Sequence, residues 1–269
     1  MPDRSPAYAA ALAASLHWDS ARDEPYLQPP SFPDLRLVPY RPGIAGDLVT
    51  LFNHPPVGER LFVLPYPMSS AFAEQMLSDT LAKQAPILAT LRARRAERTL
   101  RDSGEGQDEK VQVHAPVWPF KALWSEAEGR VVGDVFLWPN AEPLQVAGCE
   151  GVTGSGGAGR PGEEGEAGEG SEATNDETTD QHPQWTVGYV LEPALYGRGV
   201  MSEVLGCVLE GWVRPEMGVR VAASIAVDNA ASAAVAVRNG FVYSREEGTE
   251  WPKEKGGGVR YHGLYTWPS

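Results

Sequence analysis

The sequence predicts an α/β (α+β) fold, and three observations carry that expectation. Residues 185–212 pass from an alternating β-branched and aromatic run, through a glycine turn, into an apolar stripe at helical spacing. Residues 219–239 repeat the order: an apolar run, an Asp-Asn pair, and an alanine-rich helix stopped by Gly240. Residues 117–125 and 130–138 read as two strands turned around Glu128-Gly129, a hairpin.

The stretch 185–212 organises the chain. Val187, Tyr189 and Leu191 alternate with Thr186, Gly188 and Val190 as in a buried strand. Pro193 ends it, because proline has no amide hydrogen to give a ladder. Gly197-Arg198-Gly199 then turns the chain, and Val200, Val204, Val208 and Trp212 fall on one helix face. A glycine turn running into a helix start leaves several N–H groups without intrahelical partners, and such a nest suits phosphate or pyrophosphate. The turn is not a P-loop, since no Gly-Lys-Ser/Thr follows. Nor is it a dinucleotide fingerprint, whose third glycine would stand at Ser202. Taken alone, it fits a ligand-free turn as well as an anion site.

Downstream, 219–227 reads as a second buried strand, Asp228-Asn229 as a helix N-cap, and 241–243 as the start of a further strand. The two segments GYVLEPALYGRGVMSEVL and DNAASAAVAVRNGF, in that order, resemble the GNAT acyl-CoA-dependent N-acetyltransferase superfamily. Within it they are most similar to the branch of ribosomal-protein N-terminal acetyltransferases. That branch carries G-Y-x-L-x-P-x-x-x-G-x-G followed by N-x-x-S-x-x-V-x-x-x-x-G-F. The resemblance implies a mixed, mostly antiparallel central sheet with helices on both faces and a splayed strand pair holding acetyl-CoA. It implies that the backbone around Val190 and Leu191 pairs with pantetheine. Gly197, Arg198, Gly199, Val200, Met201 and Ser202 match the pyrophosphate loop, Asn229 the asparagine near the pantetheine arm, and Ser232 the serine that in some members protonates the departing thiolate. The sequence departs from the superfamily pattern at Tyr196 and Met201, and Thr186 stands where the branch often carries a glutamate.

The N-terminal residues 1–34 are proline- and alanine-rich and read as an arm, a short helix or loose segment lying on the domain; the apolar run 7–16 is short and Asp3 offsets Arg4, unlike a signal peptide. The resemblance implies an acetyltransferase domain over 35–269, interrupted at 149–181. Residues 35–39 open it as a strand, and 43–53 follow as a helix ended by Pro55-Pro56. A second helix runs from about 71 toward 101, broken or kinked at Pro86. This start also resembles the same branch, in which two early helices wall the acceptor site. The basic run of Arg92, Arg94, Arg95, Arg98 and Arg101 reads as a solvated helix face. In the hairpin, Asp134 is a carboxylate in a central strand, either a proton acceptor for an amine or an ordinary hydrogen-bonded strand residue. Residues 149–181 hold nine acidic residues, nine glycines and one basic residue, with no apolar periodicity. They predict a disordered acidic insertion. The C-terminus adds strands over 241–246 and 259–267 around a triple-glycine loop, placing Tyr243, Tyr261, His262 and Tyr265 toward the acceptor end.

Composition bounds the function. At 269 residues and 42% apolar content the chain builds one core with extensions. A net charge of −13, most of it in the insertion, argues against nucleic acid or anionic membrane as partners and leaves room for a basic acceptor. Cys149 and Cys207 do not make a disulfide framework, and the five histidines show no metal-ligand spacing, so no metal site is expected. No run approaches the length needed to span a bilayer, which predicts a cytoplasmic or nuclear protein. The function expected is acetyl transfer from acetyl-CoA to a primary amine (a protein N-terminus, a polyamine or a small amine), with Ser232 and Asp134 as the catalytic candidates. The alternative is a non-catalytic CoA-binding or interaction module that retains the fold. The oligomeric state is left open.

Overall fold

The computed structural model describes residues 5–102, 116–140 and 184–268. The acidic insertion expected at 149–181, with Cys149, lies outside the described residues. The elements in chain order are α1 (Pro6–Ala13), β1 (Leu16–Asp19), β2 (Glu24–Leu27), β3 (Leu35–Val38), α2 (Ala45–Phe52), α3 (Pro55–Gly58), α4 (Ser70–Asp102), β4 (Ala122–Ser125), β5 (Arg130–Pro139), β6 (Gln184–Leu191), α5 (Val200–Val208), β7 (Arg220–Ala226), α6 (Ala230–Arg238), β8 (Val242–Glu250) and β9 (Val259–Trp267).

Nine strands form one sheet in the order β1-β2-β3-β4-β5-β6-β7-β9-β8. Every neighbouring pair is antiparallel except β6 and β7. That pair is parallel because α5 carries the chain back over the sheet between them, the connection a parallel pair requires. Its pairing is short: Gln184, Trp185 and Thr186 face Arg220, Val221 and Ala222, and no further partners follow. On their outer sides both strands stay paired to the end, β6 to β5 as far as Leu191 and β7 to β9 as far as Ala226. The two strands therefore part after Thr186, and their facing backbone edges are left without a sheet partner. Buried amides and carbonyls without partners are costly, so such an opening invites an extended chain to fill it.

Each face of the sheet buries its own apolar cluster. One gathers Leu37, Phe120, Val135 and Val187 under α1 and α5, with Val200, Val204, Val208 and Trp212 all buried as the helical spacing predicts. The other gathers Val38, Ala122, Val131 and Val190 under α2, α3 and α4. Beyond α5 the helix widens into a π-helical stretch, Leu209–Met217, that contains Pro215.

Three elements differ from the sequence reading. Residues 1–34, read as an arm, supply α1, β1 and β2 to the structure: β2 joins β3 through Leu27 and Leu37, and Leu12 and Leu27 are wholly buried. Two four-residue strands are too short to show periodicity, which hid them. Pro86 does not break α4, which runs unbroken for 33 residues. One missing amide removes a single bond, and Gln84, Leu88 and Leu91, all buried, hold the helix to the protein on either side of it. Finally β8 extends to Glu250, paired with β9 down to Val259, although its side chains are mostly exposed. An exposed strand carries no alternation to read.

Candidate active site

The parted strands open onto the glycine turn. Gly197 and Gly199 take φ of 73° and 82°, left-handed values that side-chain-bearing residues rarely adopt. Space is not the constraint, since nothing lies within 4 Å of where either Cβ would stand. Gly199 is the N-cap of α5, and the first backbone bond of the turn is Glu203 N–H to its carbonyl at 3.1 Å. The amides of Val200, Met201 and Ser202 precede that bond and lack intrahelical partners. The Val200 and Met201 side chains are buried beneath the turn and fix its direction, while Gly197, Arg198 and Gly199 are exposed. Ser202 Oγ is buried without a hydrogen-bond partner. Orphan amides, a positive helix terminus and a waiting hydroxyl together fit a diphosphate.

Across the opening, Asn229 caps α6 by accepting from Ser232 N–H at 3.2 Å, the N-cap expected from the sequence. Tyr189, from β6, donates its hydroxyl to the Ser232 carbonyl at 3.1 Å and so ties the strand to that helix. Burial pushes the Tyr189 phenol well up, which keeps it a donor. Val190 and Leu191 are buried on opposite faces of the sheet, leaving their backbone at the edge of the gap.

Asp134 lies one strand away, its Cα in register with Val190 on β6 and Ala122 on β4. It is 0% exposed. The Tyr40 hydroxyl donates to its Oδ2, and its Oδ1 has no partner. Tyr40 is itself locked by Gln84, which accepts from its N–H and donates to its carbonyl, both at 2.9 Å. The Lys121 ammonium sits over the Tyr40 and Phe136 rings at 5.9 and 5.6 Å. Burial pushes the Asp134 carboxyl up to about 7, against the opposing pull of Lys121 and the Tyr40 hydrogen bond. Burial also lowers the Lys121 ammonium. The sequence reading identified Asp134 but neither Lys121, at the start of the same hairpin, nor Tyr40, which lies 94 positions away. Thr186, at the glutamate position, is bonded to Asn140.

The side expected from the sequence to face the acceptor is built from distant segments. Lys255, in the turn between β8 and β9, donates to the carbonyls of Leu61, Phe62 (3.3 Å) and Leu64 in the loop between α3 and α4. The same loop is held by an Arg60–Asp228 ion pair at 2.9 Å, and Phe62 meets Trp251 edge-on at 5.2 Å. Trp251 stacks in turn on His262, and the Arg260 guanidinium lies over the Trp251 ring, 4.0 Å from its centroid. Burial lowers the His262 imidazole below its ordinary value. Tyr243 and Tyr265 pack on each other at 5.5 Å, and Tyr261 is exposed. In the basic run, Arg92 and Arg95 are engaged by Asp23, and Arg95 also covers Trp18. Among the described residues no cluster of metal-ligating side chains occurs, and no helix is long and apolar enough to cross a membrane.

Residues 153–242, which include both the turn and the Asn229 helix, match the acetyltransferase (GNAT) domain family model. Over that segment the chain is similar to the GNAT acetyltransferases. Similar solved structures include a ribosomal-protein-S5-alanine acetyltransferase from Vibrio fischeri, 13% identical over 90% of this chain and 94% of that one, with a TM-score of 0.48. A GNAT-family acetyltransferase from Bacillus anthracis is 11% identical over 90% and 96%, at 0.46. A RimL ribosomal L7/L12 α-N-protein acetyltransferase is 14% identical over 93% and 98%, at 0.49. No curated protein matches the chain.

Proposed function

We propose that the protein transfers the acetyl group of acetyl-CoA to a primary amine by direct attack. The observation that carries this reading is the parting of β6 from β7 after Thr186, with the positive-φ turn at the mouth of the gap. The pantetheine arm runs as an extra strand along Val190 and Leu191. The diphosphate rests on the amides of the turn from Gly197 to Ser202, with Arg198 beside it. Asn229 lies near the arm. The amine nitrogen attacks the thioester carbonyl, the C–S bond breaks, and backbone N–H groups hold the oxyanion. Ser232 protonates the leaving thiolate. The proton lost by the amine passes through water or the Tyr40 hydroxyl to Asp134, whose carboxyl titrates near neutral pH. The acceptor classes that suit an acidic protein are a protein N-terminus, a polyamine or a small amine.

A second reading is favoured by two observations: Thr186 replaces a carboxylate, and Asp134 has no exposed surface. In that reading the protein binds CoA without turnover. Calorimetric titration with acetyl-CoA, on the wild type and on Gly199→Trp, decides the first point. Saturable binding that the variant weakens at least about a hundredfold supports the turn as the diphosphate site, since an indole there occupies the anion position and forces a side chain into left-handed backbone. No binding by the wild type sinks the acetyltransferase reading. Thiol release with mixed amines then separates the two: binding without release establishes the non-catalytic module.

A further inference from the structure

The backbone ladder between β6 and β7 ends at Thr186 and Ala222. Past that point a side chain spans the gap. The Tyr189 hydroxyl, on β6, reaches the Ser232 carbonyl in the first turn of α6, the helix that follows β7. We infer that Tyr189 is a positioning residue: its bond fixes the start of α6 at a set distance from β6 and so holds the Ser232 hydroxyl at the sulfur of the bound thioester. The inference rests on the proposed acetyl transfer, with Ser232 as the proton donor.

The fold by itself does not need this bond. Ser232 lies inside α6, whose ladder already uses its carbonyl. The Tyr189 ring packs on the cluster under α5, a role phenylalanine would fill equally well. What the hydroxyl adds is a link between two elements whose backbones have parted. Ser232 is then held from outside the helix ladder at both of its backbone groups. Its N–H donates to Asn229 Oδ1 at 3.2 Å, and its carbonyl accepts from Tyr189 at 3.1 Å. A first turn clamped in this way points its side chains in a fixed direction.

The far end of α6 is tied separately. Asn239, 3% exposed, donates from Nδ2 to the Ser202 carbonyl at 3.0 Å and to the Val235 carbonyl at 2.9 Å. That joins the end of α6 to the first turn of α5. Loss of the Tyr189 bond therefore releases the start of α6 and leaves the glycine turn in place. In the proposed arrangement the diphosphate rests on that turn and the arm runs back along Leu191 and Val190, so the thioester falls next, beside Tyr189. When the C–S bond breaks, the thiolate takes the Ser232 Oγ proton, and water restores one to the serine oxygen.

The test is a double-mutant cycle on the full chain with Tyr189→Phe, Ser232→Ala and the two combined. Thiol release is followed with acetyl-CoA and a mixture of an alanine-terminated peptide, spermidine and benzylamine, and acetyl-CoA affinity is measured by calorimetry. Ser232→Ala should lower kcat about a hundredfold and Tyr189→Phe about tenfold, each with acetyl-CoA affinity within about twofold of wild type. The combined variant should be no slower than Ser232→Ala alone, because the tyrosine acts through the serine; independent effects would multiply to about a thousandfold. A tenfold loss from Tyr189→Phe in the Ser232→Ala background overturns the inference. So does a joint fall in kcat and acetyl-CoA affinity, which would make the bond a general structural tie. Full activity of Ser232→Ala overturns it too, while the acetyltransferase reading stands. A wild type that binds acetyl-CoA and releases no thiol removes that reading and the inference together.

Discussion

The two ends of the site are built in different ways. The end proposed for the donor is a stretch of chain between residues 184 and 240: a strand edge, the left-handed glycines Gly197 and Gly199, a helix start and a capped helix. The end proposed for the acceptor is an assembly of side chains from remote segments. Lys255 reaches carbonyls more than 190 positions away, Arg60 pairs with Asp228, and Tyr40 meets Asp134. Backbone geometry leaves a local mark in sequence, because glycine, proline and cap residues are required where they stand. Side-chain assembly leaves none. The comparison predicts that changes to the glycine turn move cofactor affinity and spare acceptor affinity, whereas changes at the proposed acceptor end move turnover and acceptor affinity.

The largest effect after Gly199→Trp is expected at Asp134. If it accepts the amine proton, Asp134→Asn lowers kcat about 10²- to 10⁴-fold while leaving acetyl-CoA affinity unchanged. The wild-type rate should rise with pH through about 7 and the variant should lose that step. Stability moves the other way. The carboxyl is raised from 3.8 to about 7 in the folded state, so between those values the native protein holds a proton the unfolded chain has released. Wild-type stability therefore falls as pH rises from about 4 to about 7, by at most about 4 kcal/mol. Asn cannot ionise and keeps an oxygen for the Tyr40 hydroxyl, so the variant should show no such fall and should equal or exceed the wild type at pH 8. Urea titrations across that range check it. A variant that is active with an unchanged pH profile would mark Asp134 as a structural residue, and the comparison would lose its clearest acceptor-side member.

What the sequence made legible follows the same division. The strand-turn-helix at 185–212, the Asn229 cap and the hairpin around Gly129 were all readable because each rests on local backbone requirements. The helical face of Val200, Val204, Val208 and Trp212 was readable because one face of a regular helix is buried. The joining of residues 16–27 to the sheet was not, since two four-residue strands show no period and Leu27 meets β3 through a single register pair. The continuity of α4 through Pro86 was hidden because proline reports a local cost and not the tertiary contacts that outweigh it. Asp134 was recognisable as a carboxylate in a central strand, but its burial and its Tyr40 and Lys121 neighbours exist only once β3, β4 and β5 are side by side.

A smaller effect is expected at Lys255, which tests whether the acceptor wall is a separate unit. Lys255→Met keeps the aliphatic stem and removes the donors for the three carbonyls of the 61–64 loop. The loop remains held by Arg60 and Phe62, so the fold should survive. Acceptor KM should rise about tenfold, as for loss of about one charged hydrogen bond, with the acetyl-CoA dissociation constant unchanged. A matching loss of acetyl-CoA affinity would show that the hairpin supports the donor end as well, and the two-part description would fail.

The smallest effect separates two roles of one donor-side residue. Asn229 caps α6, and it is also proposed to lie near the pantetheine arm. Asn229→Ala removes the cap and should cost about 1 kcal/mol, lowering Tm by roughly 2–4 °C in a domain of this size. Asn229→Asp caps as well as asparagine does, because the Ser232 amide needs only an oxygen to donate to. Thermal stability should therefore be unchanged in that variant. The aspartate has lost the two side-chain N–H donors, however, and carries a charge beside the gap. If asparagine also donates to the arm, acetyl-CoA should bind Asn229→Asp several-fold more weakly at unchanged Tm, a split no purely structural cap can produce. Equal affinity and equal Tm would confine Asn229 to the helix start and leave the arm to the backbone of β6.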